Sequence, residues 1–238
     1  MSAGRVGRRF SIHPVDKTLY PVAHDILDKT SFTMVMKKDS GFTLIELMIT
    51  LVVAAILLTI GVPSLKMFIQ NGKILEARDS LRNALFVARS SAISDKTTAC
   101  VCPTANANDA VPACKADGNW ETGWIAFSEV AVASGTCVFD GGTDILLKIY
   151  DGSDNDSTTF AVRSDNPSIN GTNYVRFNSR GAPVQANGTG QQGVFSICDD
   201  RGVVADASGK TRARAVILSI SGSTRDTNTA AQVSACPF

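Results

Sequence analysis

The residues able to do chemistry are unevenly placed along the chain. Six cysteines, Cys100, Cys102, Cys114, Cys137, Cys198 and Cys236, all follow position 99, whereas both histidines, His13 and His24, lie in the first 24 positions. Cys100-Val-Cys102 offers two sulfurs to a metal, but no histidine follows it and the spacing fits no common zinc knuckle. The thiols therefore read as disulfides made in an oxidising compartment. Ser208-Gly209-Lys210-Thr211 has the ending of a phosphate-binding loop, yet the first glycine of that loop would stand at 204, where the chain has Val204. It reads as a turn. Asp151, Asp154 and Asp156 present carboxylates to a calcium ion without the alternating ligands and central glycine of an EF-hand loop, so they read as solvated. Lys210, Arg212, Arg214 and Arg225 are the only charges between Ala207 and Arg225. Such a local basic stretch suits phosphate contacts, and on a strand Arg212 and Arg214 share a face. The plainer reading is a charged strand edge that blocks unwanted pairing. Without a histidine beyond position 24 and without a Gly-x-Ser-x-Gly elbow, the chain is not read as an enzyme, and no cofactor or metal is implied.

One further charge stands apart. Glu46 precedes the run Leu47–Leu65, 19 residues without a charge. As a helix that run is roughly 28 Å long, close to a bilayer core. Lys37 and Lys38 precede it and set its N-terminal side in the cytoplasm. The run is too long for a signal-peptide core and ends in Pro-Ser-Leu-Lys-Met-Phe rather than a small-residue cleavage site. A carboxylate at the start of such a helix is costly and implies a partner charge.

The elements that carry these residues follow from their pattern. With 238 residues, 44% hydrophobic and 19% charged, the chain suffices for one ordinary domain or two small ones. A net charge of +1 shows no overall basic excess for nucleic acid. The apolar run continues through Leu65, Phe68, Ile69, Leu75, Leu81, Leu85, Ala88 and Ala92 at mostly helical spacing, predicting one helix over 42–94. Its first half is apolar all round and its second half amphipathic. Gly61 and Pro63 fall at the junction, where proline removes a hydrogen bond and predicts a helix break. Beyond Asp95 the pattern predicts strands at 98–102, 123–127, 145–150, 158–162, 174–177, 193–198 and 214–221. The fold class is α+β, a long N-terminal helix packed on an antiparallel sheet.

Lys37-Lys38-Asp39-Ser40-Gly41-Phe42-Thr43-Leu44-Ile45-Glu46 resembles the type III signal of type IV pilins and type II secretion pseudopilins. The resemblance implies cleavage by a membrane prepilin peptidase between Gly41 and Phe42, then N-methylation of Phe42. It also implies an assembly contact in which Glu46 pairs with the Phe42 amine of a neighbouring subunit. Residues 1–35 do not look like a short basic leader, and they read either as a gene-start error over 1–33, with Met34 or Met36 the true start, or as an extended leader. Downstream, Leu81-Arg-Asn-Ala-Leu-Phe-Val-Ala-Arg-Ser-Ser-Ala92, Gly123-Trp-Ile-Ala-Phe127, Val175-Arg-Phe-Asn-Ser-Arg-Gly181 and Ile197-Cys-Asp-Asp-Arg-Gly202 are similar to the GspH/FimT family of minor pilins and pseudopilins.

That resemblance implies a leader over 1–41, a transmembrane helix half over 42–65, an amphipathic half over 66–95 and a disulfide-bonded β-rich head over 96–238. It implies helix loosening near Gly61 and Pro63, a loop bridge from Cys100 or Cys102 to Cys114, and a C-terminal bridge from Cys198 to Cys236. The partner of Cys137 stays open. The implied partners are other pilins or pseudopilins, the prepilin peptidase and the inner membrane, with the head in the periplasm before incorporation into a pilus or pseudopilus. The leading function is a minor pilin that primes pilus assembly or sits at the tip. One alternative is a minor pseudopilin of type II secretion. Another is DNA binding for uptake in natural transformation, through a basic C-terminal Gly-Arg-x-Arg element. Here that element reads Gly222-Ser-Thr-Arg225-Asp226, lacking the first arginine and followed by an acid. Seven of the 23 basic and four of the 22 acidic residues precede Phe42. The implied mature chain therefore holds 16 basic and 18 acidic residues and no histidine.

Overall fold

A computed structural model describes residues 41–130, 135–170, 173–233 and 236–237. Residues 1–40, which hold all of the leader except Gly41 together with Lys37, Lys38 and the alternative start sites, lie outside the described residues.

Helix α1 runs from Leu44 to Ser94, 51 residues. From Leu51 to Ile69 its apolar side chains are exposed all round. From Ile74 onward it buries one stripe, formed by Ile74, Ala77, Leu81, Ala84, Leu85, Ala88 and Ala92 at three- and four-residue spacing. Four of those seven are alanines. The helix break predicted at Gly61 and Pro63 is not seen, because α1 is continuous through both. Pro63 removes a single hydrogen bond, and the turns on either side keep theirs.

The single sheet anticipated from the strand pattern is corrected to two, each of four strands. In the first, β3 (Ile145–Asp151), β2 (Gly123–Glu129), β1 (Thr98–Pro103) and β5 (Val175–Phe177) lie in that order. In the second the order is β4 (Phe160–Ser164), β6 (Gly193–Asp199), β7 (Lys210–Leu218) and β8 (Thr224–Thr229). Every neighbouring pair is antiparallel. A short helix α2 (Pro167–Asn170) follows β4.

Both sheets pack on the same stripe of α1. Ala99, Val101, Trp124, Ala126, Val175 and Phe177 of the first sheet share one core with Phe160, Val162, Phe195, Ile197, Val216 and Leu218 of the second. Trp124 stacks on Tyr150 with ring centroids 4.1 Å apart, and Trp120 meets Phe195 edge-on at 5.1 Å. Alternate residues of the strands enter two smaller cores on the opposite faces. One holds Cys100, Cys102, Ile125, Phe127, Cys137 and Tyr174, and the other Cys198, Ala213, Ala215 and Val233. Both faces of β1 and β2 are therefore buried, which explains their nearly unbroken apolar runs.

Two strand boundaries and one unanticipated strand have local reasons. β4 starts at Phe160 because Asp156 closes the preceding turn, accepting the Thr158 amide at 2.9 Å through its side chain and the Phe160 amide at 2.8 Å through its carbonyl. β7 ends at Leu218 because Ser219 to Ser223 form a turn closed by the Ser219 amide donating to the Ser223 carbonyl at 3.0 Å. β8, Thr-Arg-Asp-Thr-Asn-Thr, is polar throughout and carries no apolar alternation to reveal it.

Candidate functional site

Gly41, Phe42 and Thr43 precede α1 in extended or irregular backbone, and Phe42 is 82% exposed. Thr43 caps the helix: its Oγ1 accepts the Glu46 amide at 3.2 Å, and its carbonyl accepts the Leu47 amide at 3.2 Å. Thr43-Leu-Ile-Glu46 thus has the spacing of a capping box, with an acid in the first turn where the helix dipole favours it. Glu46 therefore stands in the first turn of its own helix. The Thr-x-x-Glu pattern was the signal for this cap, and the sequence reading of Glu46 passed over it.

Further along, glycines and charges of the later motifs hold α1. Arg89 donates to the carbonyl of Gly181 at 3.0 Å and to that of Ser221 at 3.1 Å. Gly181 and Gly222 both have left-handed backbone, φ +76° and +80°. A Cβ on Gly222 would stand 2.2 Å from the Gly181 carbonyl oxygen, and one on Gly181 2.5 Å from Ile93 Cδ1. Only glycine fits either place. Nearer the apolar half, Gln70 donates to Asp200 at 3.0 Å, and Arg201 donates to Asn71 at 2.8 Å while also pairing with Asp199. Arg89 and Asn71 were not singled out in the sequence, since an arginine among helix charges carries no local mark of its partner.

The comparisons with known proteins cover both ends of this arrangement. The family described as Type II transport protein GspH matches residues 77–222, more than half of the chain, from the first alanine of the buried stripe to the glycine beneath Arg89. The chain belongs to the GspH family. The prokaryotic N-terminal methylation motif matches residues 36–62, which include Gly41, Phe42 and Glu46. This GspH-family chain is accordingly a minor pilin or pseudopilin, and its family is one of structural subunits. No curated protein matches it. Solved structures similar to it include two crystal forms of the type IV minor pilin FimU of Pseudomonas aeruginosa, both at 16% identity. One has a TM-score of 0.45 and covers 72% of this chain and 99% of that chain; the other has 0.42, 69% and 99%.

In this GspH-family subunit the four basic residues near the C-terminus do not form one face. Lys210 and Arg212 are exposed and line a depression with Arg201. Arg214 lies across from Ile197 and is half-buried, its Nη1 donating to the carbonyls of Thr211, Arg212 and Ala213. Burial, then the nearby Arg78 charge, lower its pKa from the usual arginine value, and Asp226 opposes them. Arg225 is exposed on β8 opposite Ile217, whereas Asp226 stands opposite Val216, a residue of the α1 core. Neighbours along a strand point to opposite faces, so Arg225 and Asp226 diverge. Asp226 lies 3.4 Å from both Arg78 and Arg82 of α1. Along β7, Lys210, Arg212 and Arg214 alternate with the buried Thr211, Ala213 and Ala215, so Arg212 and Arg214 share a face as the strand spacing predicts.

Three disulfides join Cys100 to Cys137, Cys102 to Cys114 and Cys198 to Cys236. The first two hold loops over the outer face of the first sheet, and the third holds the C-terminal tail over the outer face of the second. Among the described residues, one group of three potential metal ligands converges, Cys100, Glu129 and Cys137. Its two sulfurs are bonded to each other. Glu129 is buried and lies 3.6 Å from Arg176. Burial raises its pKa, and the Arg176 charge opposes the rise. Asp151 and Asp156 bind their own loops: Ser153 and Asn108 donate to Asp151, and Thr158 donates to Asp156. Those bonds lower both pKa values.

Proposed function

We propose that this chain is cut between Gly41 and Phe42 by a prepilin peptidase, stays anchored in the inner membrane by the first half of α1, and joins a helical filament of other pilins or pseudopilins. As a minor subunit it primes a type IV pilus or occupies its tip. Its work is assembly rather than catalysis.

The observation that carries this reading is the start of α1. The Gly41–Phe42 bond lies in non-helical backbone just ahead of a capped helix, where a peptidase can reach it. The apolar side chains that follow are exposed, so their partners lie outside the chain. After cleavage, the Phe42 amine and the Glu46 carboxylate are opposite charges at the edge of an apolar helix. Neither is cheap to leave unpaired in a membrane, so pairing between subunits would fix their register. Loosening near Gly61 and Pro63 on incorporation is part of the same proposal.

Intact mass and N-terminal sequencing of the native protein test the processing. A chain beginning at methylated Phe42 is expected, and one retaining Met1 would sink the idea. For assembly, Glu46→Ala should be processed normally and incorporated at about a tenth of the wild-type level, consistent with loss of one charge pair worth about 1.4 kcal/mol. Normal incorporation in sheared filaments would count against the role.

A second reading, a minor pseudopilin of type II secretion, is favoured by the family description covering residues 77–222. Deleting the gene separates the two. Loss of surface pili with secretion intact supports the pilus, and the reverse supports secretion.

A further inference from the structure

A groove of about 450 Å³ lies between α1 and the loops that flank β4 and β6. Its helix wall is Val62, Leu65, Lys66 and Ile69, and across from it stand Asp154, Asp156 and Phe160. Two kinds of surface meet there. The floor is apolar, with Leu65 and Ile69 exposed on α1 and the buried Phe160 across from them. The rim is split by charge. Lys66 and Lys73 stand on the helix side, and the exposed Asp154 and Asp156 on the loop side. Lys73 Nζ reaches across to donate to the Asp154 carbonyl at 3.3 Å.

Lys66 is the first charge after the uncharged run Leu47–Leu65. That run nearly fills a hydrocarbon layer of about 30 Å, so Lys66 and the groove fall in the headgroup layer when the run spans a bilayer. The apolar floor is then continuous with the membrane-spanning surface. Lysines at such a boundary extend toward phosphate.

We propose that the groove holds the headgroup of one phosphatidylethanolamine molecule from the leaflet on the head side. Its phosphate lies against Lys66 and Lys73, its ammonium donates to Asp154 and Asp156, and its glycerol and first methylenes cover Val62, Leu65 and Ile69. The charge pattern selects this lipid. Phosphatidylglycerol satisfies the lysines but brings no cation to the two carboxylates. Phosphatidylcholine brings a cation with no N–H to donate. The inference rests on the membrane-anchored reading and adds a lipid specificity to it.

The test uses the full chain purified in detergent, with one of the three lipids added at equal concentration and retained lipid counted by native mass spectrometry. Phosphatidylethanolamine should be retained about tenfold over either of the others, the effect of one charge-assisted pair. Asp154→Asn with Asp156→Asn should bring it down to the phosphatidylcholine level, and Lys66→Ala with Lys73→Ala should lower retention of all three. Lys66, Asp154 and Asp156 are exposed and Lys73 is half-buried, and an unchanged unfolding midpoint certifies the fold of each variant. Equal retention of the three lipids, or a preference that survives the aspartate changes, overturns the proposal. So does a dimer mass in place of bound lipid that disappears in the lysine variant, which would give the groove to a second copy. Co-flotation with phosphatidylethanolamine–phosphatidylglycerol vesicles reads the anchor separately. A chain that fails to float overturns anchor and groove together, whereas one that floats but retains lipids equally overturns the groove alone.

Discussion

Two stretches of the same helix treat apolar residues in opposite ways. Between Leu51 and Ile69 almost every residue is apolar and all the large ones are exposed. Between Ile74 and Ala92 the helix also carries Glu76, Arg78, Asp79, Arg82 and Arg89, yet it contributes seven fully buried residues to the core. The hydrophobic effect rewards removal of apolar surface from water, and it does not specify which partner removes it. In the later stretch the partner is the chain's own pair of sheets. In the earlier stretch no described residue of the chain supplies that partner, and the proposed ones are a bilayer and other subunits. A uniformly apolar helix thus marks external partners, while a narrow stripe rich in alanine marks internal ones.

The sharpest way to break this contrast is to cut into the later stripe. Leu81→Ala removes a fully buried side chain from the core shared by both sheets and should cost about 3 kcal/mol. Chemical unfolding of the full chain in detergent reports this directly, since Trp120 and Trp124 sit in that core. A cost near zero would mean that the stripe is not the internal interface. Next come the bridges that hold the covers on the outer faces. Cys198 and Cys236 are separated by 38 positions, Cys102 and Cys114 by 12. Replacing both members of the long bridge with serine should cost about 4 kcal/mol, and of the short one about 3, by the scaling of loop entropy with length. Far-ultraviolet circular dichroism should keep the helical signal of α1 in both cases.

How much of this was readable beforehand depended on how local the physics was. The uncharged run and the helix through Ser94 are each fixed by neighbours within a few turns, so spacing revealed them, whereas the motif around Gly41 was legible through its resemblance to a known signal. The split into two sheets was hidden because strands with both faces buried look alike whichever sheet they join. β8 was hidden because its ladder bonds come from backbone while its side chains are polar. The basic residues Arg214 and Arg225 looked like one cluster because no local pattern shows that Arg225 pairs with Ile217, which strand alternation sets on the face opposite to that of Arg214. Asp226 looked like a departure from a DNA-binding element, and only its distance to Arg78 and Arg82 shows a role on the helix. The Arg89 clamp joins positions 92 and 132 residues apart, which no local pattern encodes.

That clamp gives a smaller test of the same contrast. Gly222→Ala forces a Cβ onto left-handed backbone and into the Gly181 carbonyl, and should cost about 2 kcal/mol. Arg89→Ala, which leaves both glycines in place, should cost about 1 kcal/mol less, because water can replace its partly exposed bonds. If the order were reversed, the charge rather than the close approach would hold the turn to α1.

The smallest effect is the most telling for the earlier stretch. Leu57 is as apolar as Leu81 and is 65% exposed. Leu57→Ala should leave the unfolding midpoint within about 0.5 kcal/mol of wild type, as for a surface site with no partner in its own fold. The same substitution should weaken partitioning into vesicles by roughly 2 kcal/mol, the transfer value of the three carbons removed. Leu81→Ala should show the reverse pair of effects. A Leu57→Ala chain that lost stability and kept its membrane partitioning would place an internal partner against the apolar half, and the division of labour along α1 would fail.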